Sequence, residues 1–173
     1  MTDPQTLLQC SRFSVERVSE TLEDGYVRTR EVVRHPGAVV ILPLLADHRV
    51  CLIRNYRIAV GETLVELPAG TREPNEPAET TALRELSEET GYEAGRIEPL
   101  GRFFPSPGIL DEQMLLFVAS ELTETAPHRE PGERIENLVV SWDDAMRLVH
   151  DGSIRDAKTI CGLLLWEQRR VQR

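Results

Sequence analysis

The sequence predicts a mixed α/β fold in which a mixed central sheet is layered between helices and preceded by a small N-terminal β-hairpin arm. Residues 12–34 alternate between polar and β-branched or aromatic side chains around a charged turn, which is typical of a hairpin. Residues 38–45 form an almost unbroken apolar run, which is typical of a strand buried on both faces. The strand-like segments that follow alternate with helical ones, and this order indicates layers of helix and sheet.

Turn residues separate the remaining strands. They are predicted over residues 50–56, 64–67, 97–104, 113–120 and 135–142. We therefore divide the chain into an N-terminal β arm, residues 1–35, and a main domain, residues 36–173.

Three helices are predicted from apolar periodicity and capping residues. The first covers residues 77–90, with a proline in its first turn, and is followed by Gly91, a residue type favoured just after a helix. Ser141 and Asp144 resemble a capping box for a second helix. The third covers residues 156–170. Their core-facing residues are predicted to be Ala82, Leu83 and Leu86 in the first helix and Ile160, Leu163 and Leu164 in the third.

The composition limits the partners of this chain. Its 173 residues carry 29 acidic and 20 basic side chains, and the formal net charge is −9. Because no block of Lys or Arg offsets this charge, nucleic acid is not expected as a partner. No apolar run is long enough to cross a bilayer and no secretory signal is visible, so we expect a soluble, cytoplasmic protein without a membrane partner. The three scattered cysteines are expected to be reduced thiols.

One segment carries a known signature. Residues 70–92 read GTREPNEPAETTALRELSEETGY. This segment resembles the Nudix box, and every specified position is filled: Gly70, Glu76, Arg84, Glu85, Leu86, Glu88, Glu89, Gly91 and Tyr92. A long, fully matched motif that spans a loop and a helix is a specific signal. The resemblance implies the α/β/α sandwich of Nudix hydrolases and cleavage of a nucleoside diphosphate linked to another group.

The acidic residues of this motif are expected to lie together on the helix. Glu85, Glu88 and Glu89 follow an i, i+3, i+4 spacing, so their carboxylates converge on one face. A solvated acidic face is the ordinary explanation of such a cluster. Near the C-terminal end of a short helix, however, the macrodipole opposes more negative charge. Mg²⁺ or Mn²⁺, which prefer oxygen ligands, would compensate it.

Arg84 is expected to hold this cluster in place. It lies four residues before Glu88 and can fork onto that carboxylate, which would leave Glu85 and Glu89 to bind metal. In this interpretation Arg84 has a structural role in the catalytic centre.

Further positions complete the expected metal site. Gly70 allows a tight turn before the helix. Glu76 opens the helix, where it can cap free N–H groups or bind metal, and both remain open. The resemblance implies that the carbonyl of Ala69 is a metal ligand, together with carboxylates of the helix and the loop glutamate Glu133.

The general base is expected in the loop before residues 135–142. By resemblance, Glu133 approaches the metals and acts as the base. Pro131 occupies a position where relatives often carry a second acid, so Glu136 and, after a shift of the loop, Glu130 remain alternatives. A solvated acidic loop is the other interpretation.

The residues around the box resemble those of ADP-ribose pyrophosphatases. The tetrapeptide PSPG at residues 105–108, followed by Asp111 and Glu112, resembles their substrate loop, and the LPAG segment at residues 67–70 and the arm also match. GDP-mannose hydrolases share many of these features and are the alternative. A module that binds ADP-ribose without cleaving it is a further alternative, but the intact box disfavours it.

The resemblance also implies which side chains contact the substrate. Arg57 would bind a phosphate, and Glu112 would face the substrate beside Pro107 and Gly108. A surface ion pair for Arg57 and a solvated turn for Glu112 are the alternatives.

In the arm, Arg12, Phe13 and Arg30 are the candidates for contacts with adenine across the two-fold interface of a homodimer, since aromatic and guanidinium faces stack on bases. A core position for Phe13 is the alternative. The implied reaction converts ADP-ribose and water into AMP and ribose 5-phosphate, with Mg²⁺ as cofactor.

Overall fold

The structure, a computed structural model, describes residues 3–129, 132 and 134–172. Within these residues the chain forms ten strands and three helices, which confirms the predicted mixed α/β class. In this part of the chain, none of the helices is both long and apolar enough to cross a membrane.

The N-terminal arm is a three-stranded antiparallel sheet. The predicted hairpin is formed by β2, Ser14–Thr21, and β3, Val27–Arg34. A further strand, β1, Gln5–Gln9, lies outside the predicted hairpin and pairs with β2. Because every residue of β1 is exposed, no alternation of buried and polar positions marks it in the sequence.

A four-stranded mixed sheet forms the centre of the main domain. Its strands in spatial order are β7, Ala69–Thr71; β4, Ala38–Pro43; β9, Met114–Glu124; and β8, Tyr92–Phe103. β4 and β9 are parallel, and the other pairs are antiparallel. β4 is buried along its whole length, as its apolar run predicted.

A second sheet is antiparallel throughout. It consists of β5, Arg49–Arg57, between β6, Glu62–Glu66, and β10, Ile135–Ser141. These three strands were expected to extend the mixed sheet, but they form a separate sheet. The two sheets are joined where β4 runs into the turn before β5, at a bridge between Leu44 and Val50.

Two helices pack on opposite faces of the mixed sheet, the first and the third along the chain, while the second packs on β5, β10 and the third helix. In chain order, the helices are α1, Ala78–Thr90; α2, Trp142–His150; and α3, Ala157–Val171. Successive side chains of a strand point to opposite faces, and β4 therefore contributes to two cores. Val39 and Ile41 pack against α1, whereas Val40 and Leu42 belong to the core that contains Leu163 of α3.

Two residues predicted to face the core do not. Leu83 is 39% exposed and Leu164 is 44% exposed, whereas their preceding neighbours Ala82 and Leu163 are fully buried. One residue along a helix is a rotation of about 100°. Each of these leucines is therefore turned from the buried stripe toward solvent.

Candidate active site

The start of α1 differs from the prediction. Pro77 is the N-cap rather than the first helical residue, and no described side chain caps this end. The carboxylate of Glu76 instead accepts a hydrogen bond from the hydroxyl of Thr81 at 2.8 Å and lies 3.3 Å from Arg84. The capping role considered for Glu76 is therefore wrong. The other end of the helix follows the prediction, because Gly91 caps it in the left-handed conformation.

Arg84 lies at the centre of the carboxylates on α1. Its Nη1 atom is 2.9 Å from Glu88 and 2.8 Å from Glu85. The expectation that Arg84 contacts Glu88 and leaves Glu85 aside is wrong, because a planar guanidinium offers five N–H donors and reaches several acceptors. The hydrogen bond with Glu76 and then the neighbouring carboxylates raise the pKa of Arg84, although partial burial opposes the shift. Arg84 is therefore a permanent cation within this acidic face.

Glu85 extends from α1 to the strand before it. Its carboxylate occupies the space beside the α-carbon of Gly70, where an added Cβ would lie 1.9 Å from Glu85 Cδ and 2.0 Å from Oε1. Any side chain larger than hydrogen at residue 70 would displace this carboxylate. Residue 70 must therefore be glycine because a Cβ would overlap the Glu85 carboxylate. This reason is additional to the tight turn that the sequence predicted.

Ala69 lies on the edge strand β7, opposite Val40 of β4. The adjacent position makes the ladder hydrogen bond, in which Ile41 N–H donates to the carbonyl of Pro68 at 2.9 Å. The backbone N–H and C=O groups of consecutive residues in a strand point alternately toward and away from the neighbouring strand. Ala69 therefore points its N–H and C=O away from β4. The N–H donates to Oε2 of the buried Glu89 at 3.0 Å. The carbonyl of Ala69 therefore lies on the same side of the strand as the Glu89 carboxylate.

The donor set fits a hard divalent cation. Within the described part of the chain, no three His, Cys, Asp or Glu side chains form a metal site by themselves. A site here would combine the carboxylates of Glu85 and Glu89 with the carbonyl of Ala69, and all three donors are oxygen, which Mg²⁺ prefers. Because Glu85 and Glu89 both reach the segment Ala69–Gly70, α1 and the edge strand meet at this point.

The C-terminal end of α1 is held by residues that the sequence did not single out. Arg129 donates from Nε to the carbonyl of Glu89 at 3.0 Å and from Nη2 to Oδ1 of Asn137 at 2.9 Å. The amide of Asn137 donates to the carbonyl of Thr90 at 2.7 Å. The last turn of α1 contains no basic residue, so Arg129 supplies the positive charge that a helix C-terminus favours. The absence of a basic residue from the last turn of α1 indicates in the sequence that a cation from elsewhere binds there. It does not indicate which residue supplies that cation.

The loop that follows contains the candidate bases. Glu133, and the alternative Glu130, lie outside the described residues. Glu136 is exposed on β10, where it is opposite Arg54 and its carboxylate lies 3.8 Å from that guanidinium. Two residues before Glu130, the chain is bound to α1, because His128 N–H donates to the carbonyl of Glu88 at 3.0 Å.

Arg57 forms an ion pair with a buried carboxylate, that of Glu66. Its Nε and Nη2 atoms donate to the two oxygens of Glu66 at 2.8 and 2.6 Å. Glu66 is fully buried and also accepts a hydrogen bond from Lys158 at the start of α3. Arg57 itself remains 41% exposed, so one part of its guanidinium is fixed and another part faces outward.

The loop with Pro107 and Gly108 is exposed and is tied to the arm. Val33 N–H donates to the carbonyl of Ile109 at 2.8 Å, and Asp111 N–H donates to the carbonyl of Val33 at 3.1 Å. The carboxylate of Asp111 also lies 3.1 Å from Arg34. The end of β3 is therefore paired with the predicted substrate loop.

Glu112 is half-buried in this junction, 3.2 Å from Nδ1 of His35. The alternative of a solvated turn for Glu112 is therefore wrong, since its side chain is largely covered.

The three arm residues predicted to contact adenine are exposed in the single chain. Arg12 lies in the turn between β1 and β2, and Arg30 lies on β3, where its guanidinium donates to the carbonyl of Thr29 at 2.8 Å. Phe13 is 38% exposed, so it is not a core residue of this chain. The structure does not bring these side chains to the acidic cluster of α1 through any described contact.

The match to known proteins agrees with this architecture. The model of the NUDIX domain matches residues 33–163, and the chain belongs to the Nudix hydrolase family, whose members generally depend on a divalent metal. It is a Nudix pyrophosphohydrolase with a sequence similar to ADP-ribose pyrophosphatases.

Individual relatives differ in their substrates. Over 140 residues, which are 80% of this chain and 76% of the relative, it is 40% identical to the ADP-ribose pyrophosphatase of Bacillus subtilis (strain 168). Over 168 residues, 89% of this chain and 87% of the relative, it is 34% identical to a GDP-mannose pyrophosphatase of Escherichia coli O1:K1 / APEC. A crystal structure of an ADP compounds hydrolase has a TM-score of 0.84 over 96% of this chain and 91% of that chain, at 24% identity, which establishes the fold alone.

Proposed function

We propose that this enzyme hydrolyses the pyrophosphate of ADP-ribose to give AMP and ribose 5-phosphate. The observation that carries the proposal is the convergence of Glu85 and Glu89 on the strand edge at Ala69–Gly70. The 40% identity to an ADP-ribose pyrophosphatase supports the choice of substrate.

In this proposal the carbonyl of Ala69 and the carboxylates of Glu85, Glu89 and Glu133 hold Mg²⁺, which Mn²⁺ could replace. A bound divalent cation would neutralise the diphosphate and lower the pKa of the attacking water. The residues of the chain position the reactants, which is the larger part of catalysis in phosphoryl transfer. Arg84 holds the carboxylates of Glu85 and Glu88 in one orientation, at 2.8 and 2.9 Å.

The chemistry requires a proton acceptor and a cation near the diphosphate. The oxygen of a water molecule attacks one phosphorus while Glu133 takes a proton from that water. The bond from the attacked phosphorus to the bridging oxygen breaks, and the bridging oxygen leaves with the other phosphate. Arg57 attracts a phosphate with the part of its guanidinium that does not contact Glu66. Glu112, Pro107 and Gly108 border the substrate in this proposal.

The arm is proposed to complete the site of a second subunit. Its apolar side chains Leu7, Leu8 and Phe13 are exposed in the single chain, and a small sheet rarely remains stable without a surface to pack on. A homodimer would cover them and would bring Arg12 and Arg30, with Phe13, to the adenine bound by the other subunit.

A substrate panel tests the proposal. ADP-ribose, GDP-mannose, NADH and diadenosine polyphosphates are incubated separately with the enzyme and Mg²⁺, and the products are separated by chromatography. We expect AMP and ribose 5-phosphate and the highest kcat/KM for ADP-ribose. A higher kcat/KM for GDP-mannose would assign the enzyme to the second candidate function, which the 34% identity to a GDP-mannose pyrophosphatase favours. Binding of ADP-ribose without any product in a single-turnover assay would instead indicate a non-catalytic module.

A further inference from the structure

Arg57 belongs to a group of four charged side chains, together with Glu66, Lys158 and Asp156. Glu66 is in contact with both Arg57 and Lys158, and Lys158 Nζ is also 3.0 Å from Asp156. Glu66 and Lys158 are buried, and charges in such places are retained only when they are paired. The two cations and two anions balance, so the group is neutral as a whole.

This group is attached to the backbone on both sides. The carboxylate of Asp156 accepts hydrogen bonds from the N–H and the hydroxyl of Thr159, at 3.0 and 2.6 Å, and so caps α3. The hydroxyl of Thr159 in turn accepts a hydrogen bond from the N–H of Leu67 at 2.7 Å. The start of α3 is thus fixed to the segment that leads into Ala69.

Arg57 is the most exposed member of this group. Two of its five N–H donors are taken by Glu66, while its side chain is partly exposed. The hydrogen bonds to Glu66 raise the pKa of Arg57, and the nearby carboxylate of Glu89 contributes in the same direction. The backbone links the two places, because Glu66, which holds Arg57, is three residues before Ala69, whose N–H donates to Glu89.

We propose that Lys158 and Glu66 are positioning residues that orient Arg57 toward the diphosphate of the substrate; this inference rests on the proposed function. Glu66 grips the guanidinium in a bidentate geometry, which fixes its plane. Lys158 shares the charge of Glu66, so the carboxylate does not neutralise Arg57 completely. The positive charge of Arg57 remains directed outward, where an anionic phosphate can approach.

The test is a double-mutant cycle on KM. Lys158→Met removes the second cation and leaves the Arg57–Glu66 pair in place. We expect KM to rise about tenfold while kcat changes little, since ground-state and transition-state binding are weakened alike. In the Arg57→Ala background, Lys158→Met should have no further effect on KM, because Lys158 acts through Arg57. Lys158→Arg, which keeps the charge, should restore part of the affinity.

Two controls separate positioning from general damage. Arg155→Met removes an exposed cation that pairs with Glu62 just before α3 and should leave KM unchanged. Thermal unfolding shows whether each variant is folded, and only folded variants enter the cycle. If Lys158→Met does not fold, the double variant with Glu66→Gln and Lys158→Met is used instead. It removes both buried charges, and its KM is measured in the same way.

The cycle uses whichever of ADP-ribose and GDP-mannose has the higher kcat/KM. A preference for GDP-mannose would overturn the proposed function and leave the positioning test intact. An unchanged KM in folded Lys158→Met, or an equal rise in KM with and without Arg57, would overturn the positioning inference.

Discussion

The carboxylate of Glu85 fills the position that a side chain at residue 70 would occupy, with 1.9 Å between Glu85 Cδ and a Cβ added to Gly70. Real Cβ atoms do not approach other atoms so closely, and the neighbour must move. Gly70 is thus a condition for the orientation of Glu85.

Gly70→Ala is expected to lower kcat by about 100-fold, similar to the loss of one main electrostatic contributor, because it displaces Glu85 from the strand edge. Steady-state kinetics in saturating Mg²⁺ measure the effect. Gly101→Ala is the matched control, since a Cβ there meets only an ordinary contact at 3.5 Å. Near-normal turnover of Gly70→Ala would show that the position of Glu85 is unimportant for catalysis.

Glu89→Gln is expected to lower kcat by at least ~100-fold. The substitution keeps the size of the side chain and an oxygen that can accept the hydrogen bond of Ala69, so the fold should persist while the negative charge is lost. Glu79→Gln, on the exposed first turn of the same helix, serves as control. If Glu89→Gln and Glu79→Gln turn over equally fast, the assignment of Glu89 as a metal ligand is wrong.

Arg129→Met is expected to reduce the free energy of unfolding by about 1–2 kcal/mol, because it removes two charge-assisted hydrogen bonds, to Glu89 and Asn137, and a cation from the C-terminal end of α1. Denaturant unfolding measures the change. Arg147→Met, which breaks an exposed ion pair with Asp144 on α2, should cost less than about 1 kcal/mol. Equal losses in the two variants would mean that Arg129 has no special role at the helix end.

The buried Glu66 makes stability depend on pH. Burial alone would raise the pKa of Glu66, but the hydrogen bond from Arg57 and the charge of Lys158 outweigh it and lower the pKa. For a carboxyl group with a lowered pKa in the folded state, the stabilisation is complete above the unfolded value, near 4.5, and is lost as the pH falls through the folded value.

Glu66→Gln should therefore lose about 3 kcal/mol at neutral pH and show a weaker decline of stability with acidification than the unmodified protein. Unfolding free energies between about pH 7 and 3 measure both effects. Glu62→Gln, an exposed position on the same strand, should retain the original pH dependence. If the unfolding free energies of Glu66→Gln and of the unmodified protein decline equally as the pH falls, the prediction is contradicted.

Sedimentation tests the role of the arm. The intact protein is expected to be a dimer, and deletion of residues 1–34 should yield a monomer with weakened binding of ADP-ribose although every residue of the Nudix box remains. The deletion also removes the pairing of Val33 with the loop at Ile109 and Asp111. A single-chain species of the intact protein that is fully active at nanomolar concentration would exclude a shared site.

Local patterns predicted much of the fold and of the acidic face. The alternation of residues 12–34 and the apolar run 38–45 mark real strands, and the i, i+3, i+4 spacing of glutamates places them on one side of α1. Within this face, Arg84 contacts Glu88 as its spacing predicted. Such relationships depend on neighbours within a turn or a strand, which a single sequence displays directly.

Contacts between distant segments could not be predicted in this way. Lys158 and Glu66 are separated by 92 positions, and Arg129 and Glu89 by 40. No spacing rule connects them, and each residue alone is typical of a solvated surface. The separate sheet of β5, β6 and β10 could not be predicted for a similar reason, because strand periodicity does not specify the sheet to which a strand belongs.

The parallel pairing of β4 and β9 has a consequence for synthesis of the protein. Ala38 pairs with Met114, so the most buried strand must wait for a partner made much later. At a translation rate of about 5–20 residues per second, the delay is roughly 4–15 s. During this interval the apolar strand β4 has only the short β7 to pair with. Closing a loop over such a distance also slows folding. A nascent chain stalled before residue 114 should therefore bind chaperones, and its release should coincide with the emergence of β9.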